Sequence, residues 1–334
     1  MSEINIRELA KKLDLSISSV SKALSGSHEI SAETRARVAA MARELNYKPN
    51  PYARSLRRKK SNTIAVVIPE VADSFFSLAL KGIESVANDK GYHVLVYLTY
   101  ESFEKERAIM EDFKSGRVDG VLVSISTETA GSEHIAGLTG SNVPVVYFDR
   151  IPEEPGLARV GTNDFESSYQ ATQHLLKRGC RKVAYLSISK NLSINNKRRE
   201  GYFQALKDYP KERAPIVIEC SNDAEENIAI LQEQLQQERP DGLIASVEKL
   251  TSLVYLVCQK LKISIPDQLK VLSFCNLETA PILHPPLTTV VQPAFDIGKT
   301  AAGLLFRELE RKRPLSKKEI ILLPSRLVIR ESTQ

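Results

Sequence analysis

Apolar residues recur at helical spacing near the start of the chain, and after residue 60 they gather into short runs. Ile6, Leu9, Ala10 and Leu13 form an i, i+3, i+4, i+7 stripe with Asn5 placed to cap it. A polar break at Asp14-Leu15-Ser16 precedes a second helix, Ile17 to about Leu24, which turns Val20, Ala23 and Leu24 inward. A third is predicted from after Ser31 to about Leu45, with Val38, Met41, Ala42 and Leu45 buried and Glu33 in its first turn. Three short helices with a tight turn between the first two make a helix-turn-helix.

From Thr63 the runs Ile64–Ile68, Val94–Leu98, Val121–Ile125 and Val145–Phe148 predict buried parallel strands, separated by helical patterns at about 75–89, 102–115 and 131–140. The series resumes with Val183–Ile188, Ile216–Glu219, Leu243–Ser246 and Val271–Phe274. Alternating elements of this kind predict an α/β body of doubly wound sheets, with ligand crevices at the carboxyl ends of strands. VDGVLVSI at 118–125 is echoed by PDGLIASV at 240–247, and PVVYFD at 144–149 by KVLSFCN at 270–276. That repeat of roughly 120 residues argues for two similar lobes facing one cleft, with Asp149 and Cys275 at equivalent strand ends.

Charge sharpens the division. Residues 1–60 hold 13 Lys/Arg against 6 Asp/Glu, whereas the remainder holds 33 against 35. A basic arm on a near-neutral body suits either a polyanion or a merely solvated face. The outward face of the second helix favours the former. Its small Ser18 and Ser21 permit close approach to base edges, Ile17 suits a thymine methyl and Lys22 a guanine. Ser31, Thr34 and Tyr47 offer hydroxyls to phosphates. With Asn5, Ile6 and Ser16 at the helix starts, these make up the expected DNA surface of the headpiece.

Pro49-Asn50-Pro51 ends the third helix and can start a short segment reaching about Arg58. Two turns are too few to be stable alone. Leu56 beside Arg57 suits either a wedge between base steps of the minor groove, or a basic linker with one leucine packed on its neighbour.

NIRELAKKLDLSISSVSKALSG, then ISAETRARVAAMARELNYKPNPYARSL, resembles the DNA-binding end of the lactose-repressor (LacI/GalR) family, with matching spacing throughout. The resemblance implies that Ile17, Ser18 and Lys22 read bases, that Asn50, Ala53 and Leu56 lie in a minor-groove hinge flanked by Arg54 and Arg57, and that Leu56 intercalates. The body resembles the type-I periplasmic-binding-protein fold. The expected architecture is therefore an all-α helix-turn-helix headpiece (1–49), a hinge (50–60) and a two-lobed α/β body (61–334) with parallel doubly wound sheets. Its first lobe is expected at about 61–158 and 293–318, its second at about 159–290 and 320–334. The segment 287–309 should return to the first lobe, and the final SRLVIRES should pack on the second.

Carried over by position, Phe75, Phe76, Asp149, Arg198 and Gln292 would contact an effector. Cys275 and Glu248 stand at further positions of that site, where the family usually has an aspartate and, with Val247, an Asn-Asp pair. Leu192 and Ile194 replace polar residues used by purine-sensing members. The expected partners are operator DNA, a second copy of the chain and a small polar effector of carbohydrate or related type. Paired aromatics are otherwise core as a rule, and Arg198 within Lys197-Arg198-Arg199 could be surface charge.

Other chemistry finds little support. Glycine-rich phosphate loops and Gly-x-Ser-x-Gly are absent, and the five histidines lack ligand spacing. No catalytic residue, metal or cofactor is expected. The four cysteines form no Cys-x-x-Cys pair and read as core thiols of a cytoplasmic protein. No apolar stretch matches a membrane span or a secretory signal. A chain ending at Gln334 without apolar heptads is expected to form dimers. A solute-binding protein, or a sugar- or nucleoside-processing enzyme on the same body, are the rival readings.

Overall fold

The computed structural model describes residues 4–47, 60–141, 143–152, 156–189, 192–210, 213–310 and 319–334. The chain divides into two compact units, Met1–Ser61 and Asn62–Gln334.

The first unit holds α1 (Ile6–Leu13), α2 (Ile17–Leu24) and α3 (Ala32–Glu44). Asn5 starts α1 with a capping box, its side-chain oxygen accepting from Arg7 N at 3.0 Å and Glu8 N at 3.1 Å. Asp14, at φ 53°, ends α1 in the left-handed conformation, and Ser16 caps α2 two residues later. Leu9, Leu13, Val20 and Val38 meet in a core at most 3% exposed.

In the second unit the first sheet runs in the order β11-β5-β4-β3-β1-β2, built from β1 (Thr63–Ile68), β2 (His93–Leu98), β3 (Gly120–Val123), β4 (Val145–Phe148), β5 (Arg159–Thr162) and β11 (Ile320–Leu323), all parallel. Around it lie α4 (Ser74–Asp89), α5 (Phe103–Phe113), α6 (Glu133–Gly140) and α11 (Ala294–Glu310). The second sheet, β12-β10-β9-β8-β6-β7, comprises β6 (Val183–Ser187), β7 (Ile216–Glu219), β8 (Gly242–Ala245), β9 (Lys270–Phe274), β10 (Thr288–Val291) and β12 (Arg326–Val328). Only β12 is antiparallel. Its helices are α7 (Asp164–Lys177), α8 (Ser193–Lys207), α9 (Ala224–Glu238) and α10 (Glu248–Leu261).

The lobe limits expected from the sequence shift. Residues 159–162 and 320–323, expected in the second lobe, pair with each other in the first sheet. Val160 is buried in the first lobe's core, and Ile321 and Leu323 pack against it, which holds both strands there. Within 287–309, β10 stays in the second sheet and only α11 returns, packing on α4. Backbone contact makes that packing close: a Cβ on Gly82 would lie 2.1 Å from the Phe295 carbonyl oxygen, and one on Gly298 2.0 Å from that of Ala79. β2, expected buried, is an edge strand with Leu95 41% and Val96 44% exposed. The SRLVIRES segment lies on the second lobe as expected, through β12 and the Ser332 hydroxyl on Val271 O at 2.6 Å.

Candidate functional sites

On α2, Ile17, Ser18 and Lys22 point away from the core and are exposed, while Ser21 is half-buried. A helix of eight residues shows these side chains together because Val20 and Ala23 anchor its other side. Several residues of the expected DNA surface already have structural partners. The Ser16 hydroxyl accepts from Ser19 N at 3.0 Å, and that of Ser31 from Thr34 N at 3.2 Å and contacts the Thr34 hydroxyl at 2.8 Å. Ile6 and Tyr47 pack partly against the headpiece core, and burial raises the Tyr47 phenol. Lys22 forms an ion pair with Glu29 in the loop before α3. Asn50, Ala53, Arg54, Leu56 and Arg57 lie outside the described residues.

The body brings all seven expected effector residues, Phe75, Phe76, Asp149, Arg198, Glu248, Cys275 and Gln292, to one cavity between the two lobes. Sequence reasoning missed Asp73, Arg150, Phe274 and Asn276, which also line it. Two of these had local signals, since Asp73 precedes a helix start and Arg150 follows Asp149.

The first lobe contributes the start of α4 and the end of β4. Asp73 caps α4, accepting from Phe75 N at 2.8 Å, and Phe75 meets Phe76 edge-on at 5.4 Å. Asp149 follows β4 at φ 58°, a strained conformation for aspartate, and is 6% exposed. Arg150 grips Glu101 through Nη1 at 2.8 and 2.9 Å and reaches Asp149 only at 4.0 Å.

The second lobe contributes Arg198, from α8, which is 2% exposed and therefore not surface charge. Its Nε donates to Asp164 at 2.7 Å and its Nη1 to Ser246 O at 2.6 Å, while the guanidinium lies 4.3 Å from the centre of the Phe274 ring. Asn276 and Gln292 tie β9 to β10 through two bonds, Nδ2 to Gln292 O at 2.7 Å and Gln292 N to Oδ1 at 3.1 Å.

Glu248, first residue of α10, crosses the cleft. Its carboxylate accepts from Ser74 N at 2.9 Å, from the Ser74 hydroxyl, and from Asn276 N at 2.9 Å. Thus one side chain of the second lobe caps the first turn of α4 in the first. Leu192 and Ile194, which replace polar residues of purine-sensing members, pack into a cluster of first-lobe residues including Val123 and Tyr147.

Burial governs the protonation of the cleft. It pushes Asp149 up to about 6 against the opposing pull of Arg150 and Arg198. It raises Asp73 to about 7, with Glu248 adding to the effect. The Cys275 thiol is pushed up to about 11 by burial, which disfavours the thiolate a nucleophile would need. No group of three or more metal-binding side chains occurs among the described residues. Nor is any helix among them long and apolar enough to cross a membrane.

Residues 5–50 match the family described as bacterial regulatory proteins, lacI family, and residues 172–333 match the periplasmic binding protein-like domain. A ribose operon repressor from Halalkalibacterium halodurans is 31% identical over 330 residues, covering 98% of this chain and 97% of its own. The chain belongs to the lacI family. This regulator is also 27% identical to a catabolite control protein A from Priestia megaterium, with 99% of each chain covered. Among solved structures, a lac repressor dimer bound to operator and the anti-inducer ONPF superposes with a TM-score of 0.85 over 99% of both chains. At 21% identity that likeness speaks for the fold. A LacI family regulator from Enterococcus faecium with bound ribose gives 0.70 at 25% identity, covering 81% of this chain and 98% of its own.

Proposed function

We propose that this lacI-family regulator acts in the cytoplasm as a dimeric repressor. Two headpieces bind a near-palindromic operator, and a small polar effector in the interlobe cleft sets how tightly they hold. The observation that carries the reading is the convergence of Asp149, Arg198, Glu248 and Gln292, from four separate segments, on one cavity in a chain whose α2 exposes Ile17, Ser18 and Lys22. In this reading α2 enters the major groove, and Ser31 and Thr34 face phosphates at the start of α3. Leu56 wedges a central minor-groove step open, with Asn50, Ala53, Arg54 and Arg57 alongside it. Pairing of the bodies is supported by apolar side chains left exposed on each lobe, Leu95 and Val96 on the β2 edge and Leu256 and Ile282 on the second lobe. Two-fold symmetry in the protein then requires two-fold symmetry in the site.

An effector that resets how the lobes close on each other shifts the hinge origins, and coupling of this kind is typically about 1–3 kcal/mol. The repressor and regulator names of the relatives, and the ribose bound in the Enterococcus faecium protein, support a carbohydrate-like ligand. The cleft works by binding rather than turnover, a role supported by its shielded thiol. Selection of bound sequences from random duplex DNA, repeated with candidate effectors present, tests the proposal. A palindromic consensus whose recovery depends on one compound is expected. Equal retention of all duplexes at physiological salt would sink it.

A further inference from the structure

The cleft carries more negative than positive charge. Asp73, Asp149 and Glu248 line it alongside Arg150 and Arg198, but both arginines are engaged by carboxylates behind the lining, Glu101 and Asp164. Lys249, next to Glu248, donates to Asn222 Oδ1 at 2.8 Å. Five carboxylates therefore stand against three cations. Asp73 and Glu248 make no ion pair among the described residues, and Asp149 has only the 4.0 Å approach of Arg150. Loss of hydration at these carboxylates outweighs the pull of the nearby arginines, and the raised affinity of Asp73 and Asp149 for protons expresses that cost.

A second observation is independent of the acids. Arg198 Nη2, on a side chain 2% exposed that lines the same cavity, has no hydrogen-bond partner, and the side-chain amide of Gln292, 7% exposed, is turned toward Asp149. A buried donor without a partner calls for an acceptor. One ligand can answer both deficits if it carries a cation at one end and oxygen atoms at the other.

We propose that the effector is a small primary amine, its ammonium held by Glu248 and Asp73 and its oxygen atoms by Arg198 and Gln292. This rests on the effector-sensing reading above and narrows it from polar metabolites in general to amines. The cleft as it stands leaves about 30 Å³ between its side chains, against the roughly 10–15 Å³ a single water needs. Entry therefore requires the lobes to part, and Glu248 to release Ser74 and turn to the ammonium. The cross-lobe bonds of Glu248 hold the closed form until then. Either an amino sugar or an α-amino acid supplies an ammonium and oxygen acceptors at this scale.

The full-length protein is titrated by calorimetry with matched pairs: glucosamine, galactosamine and mannosamine against glucose, galactose and mannose, and the protein amino acids against their N-acetyl derivatives. At least one amine should bind on the order of tenfold to a hundredfold more tightly than its partner without the ammonium. Which set contains it separates the two sources. Glu248→Gln, or Asp73→Asn should the first variant fold poorly, should abolish that preference, so that within the variant the two members of a pair bind within a few-fold of each other. A neutral sugar binding as well as its amine, or an amine preference untouched by both variants, overturns the proposal and leaves effector sensing standing. If no compound binds and operator affinity ignores all of them, effector sensing falls as well.

Discussion

Gly298→Ala and Gly303→Ala change two glycines of one helix, α11, and should act in opposite directions. A Cβ at Gly298 would stand 2.0 Å from the Ala79 carbonyl oxygen and 2.8 Å from its carbon, in the backbone of α4. A backbone oxygen cannot rotate away as a side chain can, so the helices must separate by more than 1 Å to restore ordinary contact at about 3.4 Å. Separation on that scale forfeits roughly a quarter to a half of the dispersion energy at each contact along the seam. Ile297, Ala301 and Leu305 are fully buried there. Overpacking typically costs about 1–3 kcal/mol, and contact with backbone places Gly298→Ala at the upper end, about 3 kcal/mol. At roughly 2–4 °C per kcal/mol for a domain of this size, the melting midpoint of the body should fall by about 6–12 °C. Since α4 carries Asp73, Ser74, Phe75 and Phe76 to the cleft, effector affinity should fall with it. A Cβ at Gly303 meets nothing within 4 Å, so alanine there should add roughly 0.5–1 kcal/mol through helix propensity. Thermal unfolding by circular dichroism compares the two. Equal midpoints would refute the claim that close approach of α4 and α11 sets the first lobe's packing.

Arg198→Met leaves Asp164 buried without its partner and should cost about 3–5 kcal/mol, seen as a lower urea midpoint, with Asp164→Asn in the same chain recovering part of it; a parent-like single variant would contradict the clamp. Asp73 and Asp149 take up protons in the folded state at pH values where the unfolded chain has released them. Their contribution to stability therefore declines as pH rises from about 4 to 7, and the penalty is fully present above that. Asp73→Asn, which can keep the cap, should stabilise more at pH 8 than at pH 5 in urea titrations, and an equal effect at both would exclude burial as the cause. Lys22→Ala should narrow the discrimination between operator variants by about 1–3 kcal/mol in competition binding, whereas uniform weakening across sequences would make Lys22 a phosphate contact.

The three helices of the headpiece, eight of the strands and the place of Arg198 at the cleft were legible in the amino-acid sequence. Each rests on a local signal: helical spacing with a cap, an unbroken apolar run, or a motif whose spacing matches a known family. Strands β5 and β11 escaped notice because a four-residue strand such as RVGT carries no periodicity of its own. Their pairing across about 160 residues is a matter of long-range register. Leu95 and Val96 read as buried because composition reveals that a strand is apolar and is silent on whether it sits at an edge.

By itself the amino-acid order determined what most segments would become, since helix and strand answer largely to neighbours within a few residues. It also placed the basic excess at the end that carries the helix-turn-helix. Tertiary structure alone decided which lobe owns which strand, and that Glu248 bonds to Ser74, 174 positions away. It also decided that both arginines of the cleft are already matched by acids behind it. The balance of charge in a buried site depends on which side chains the fold brings within a few ångströms, and no spacing along the chain records that.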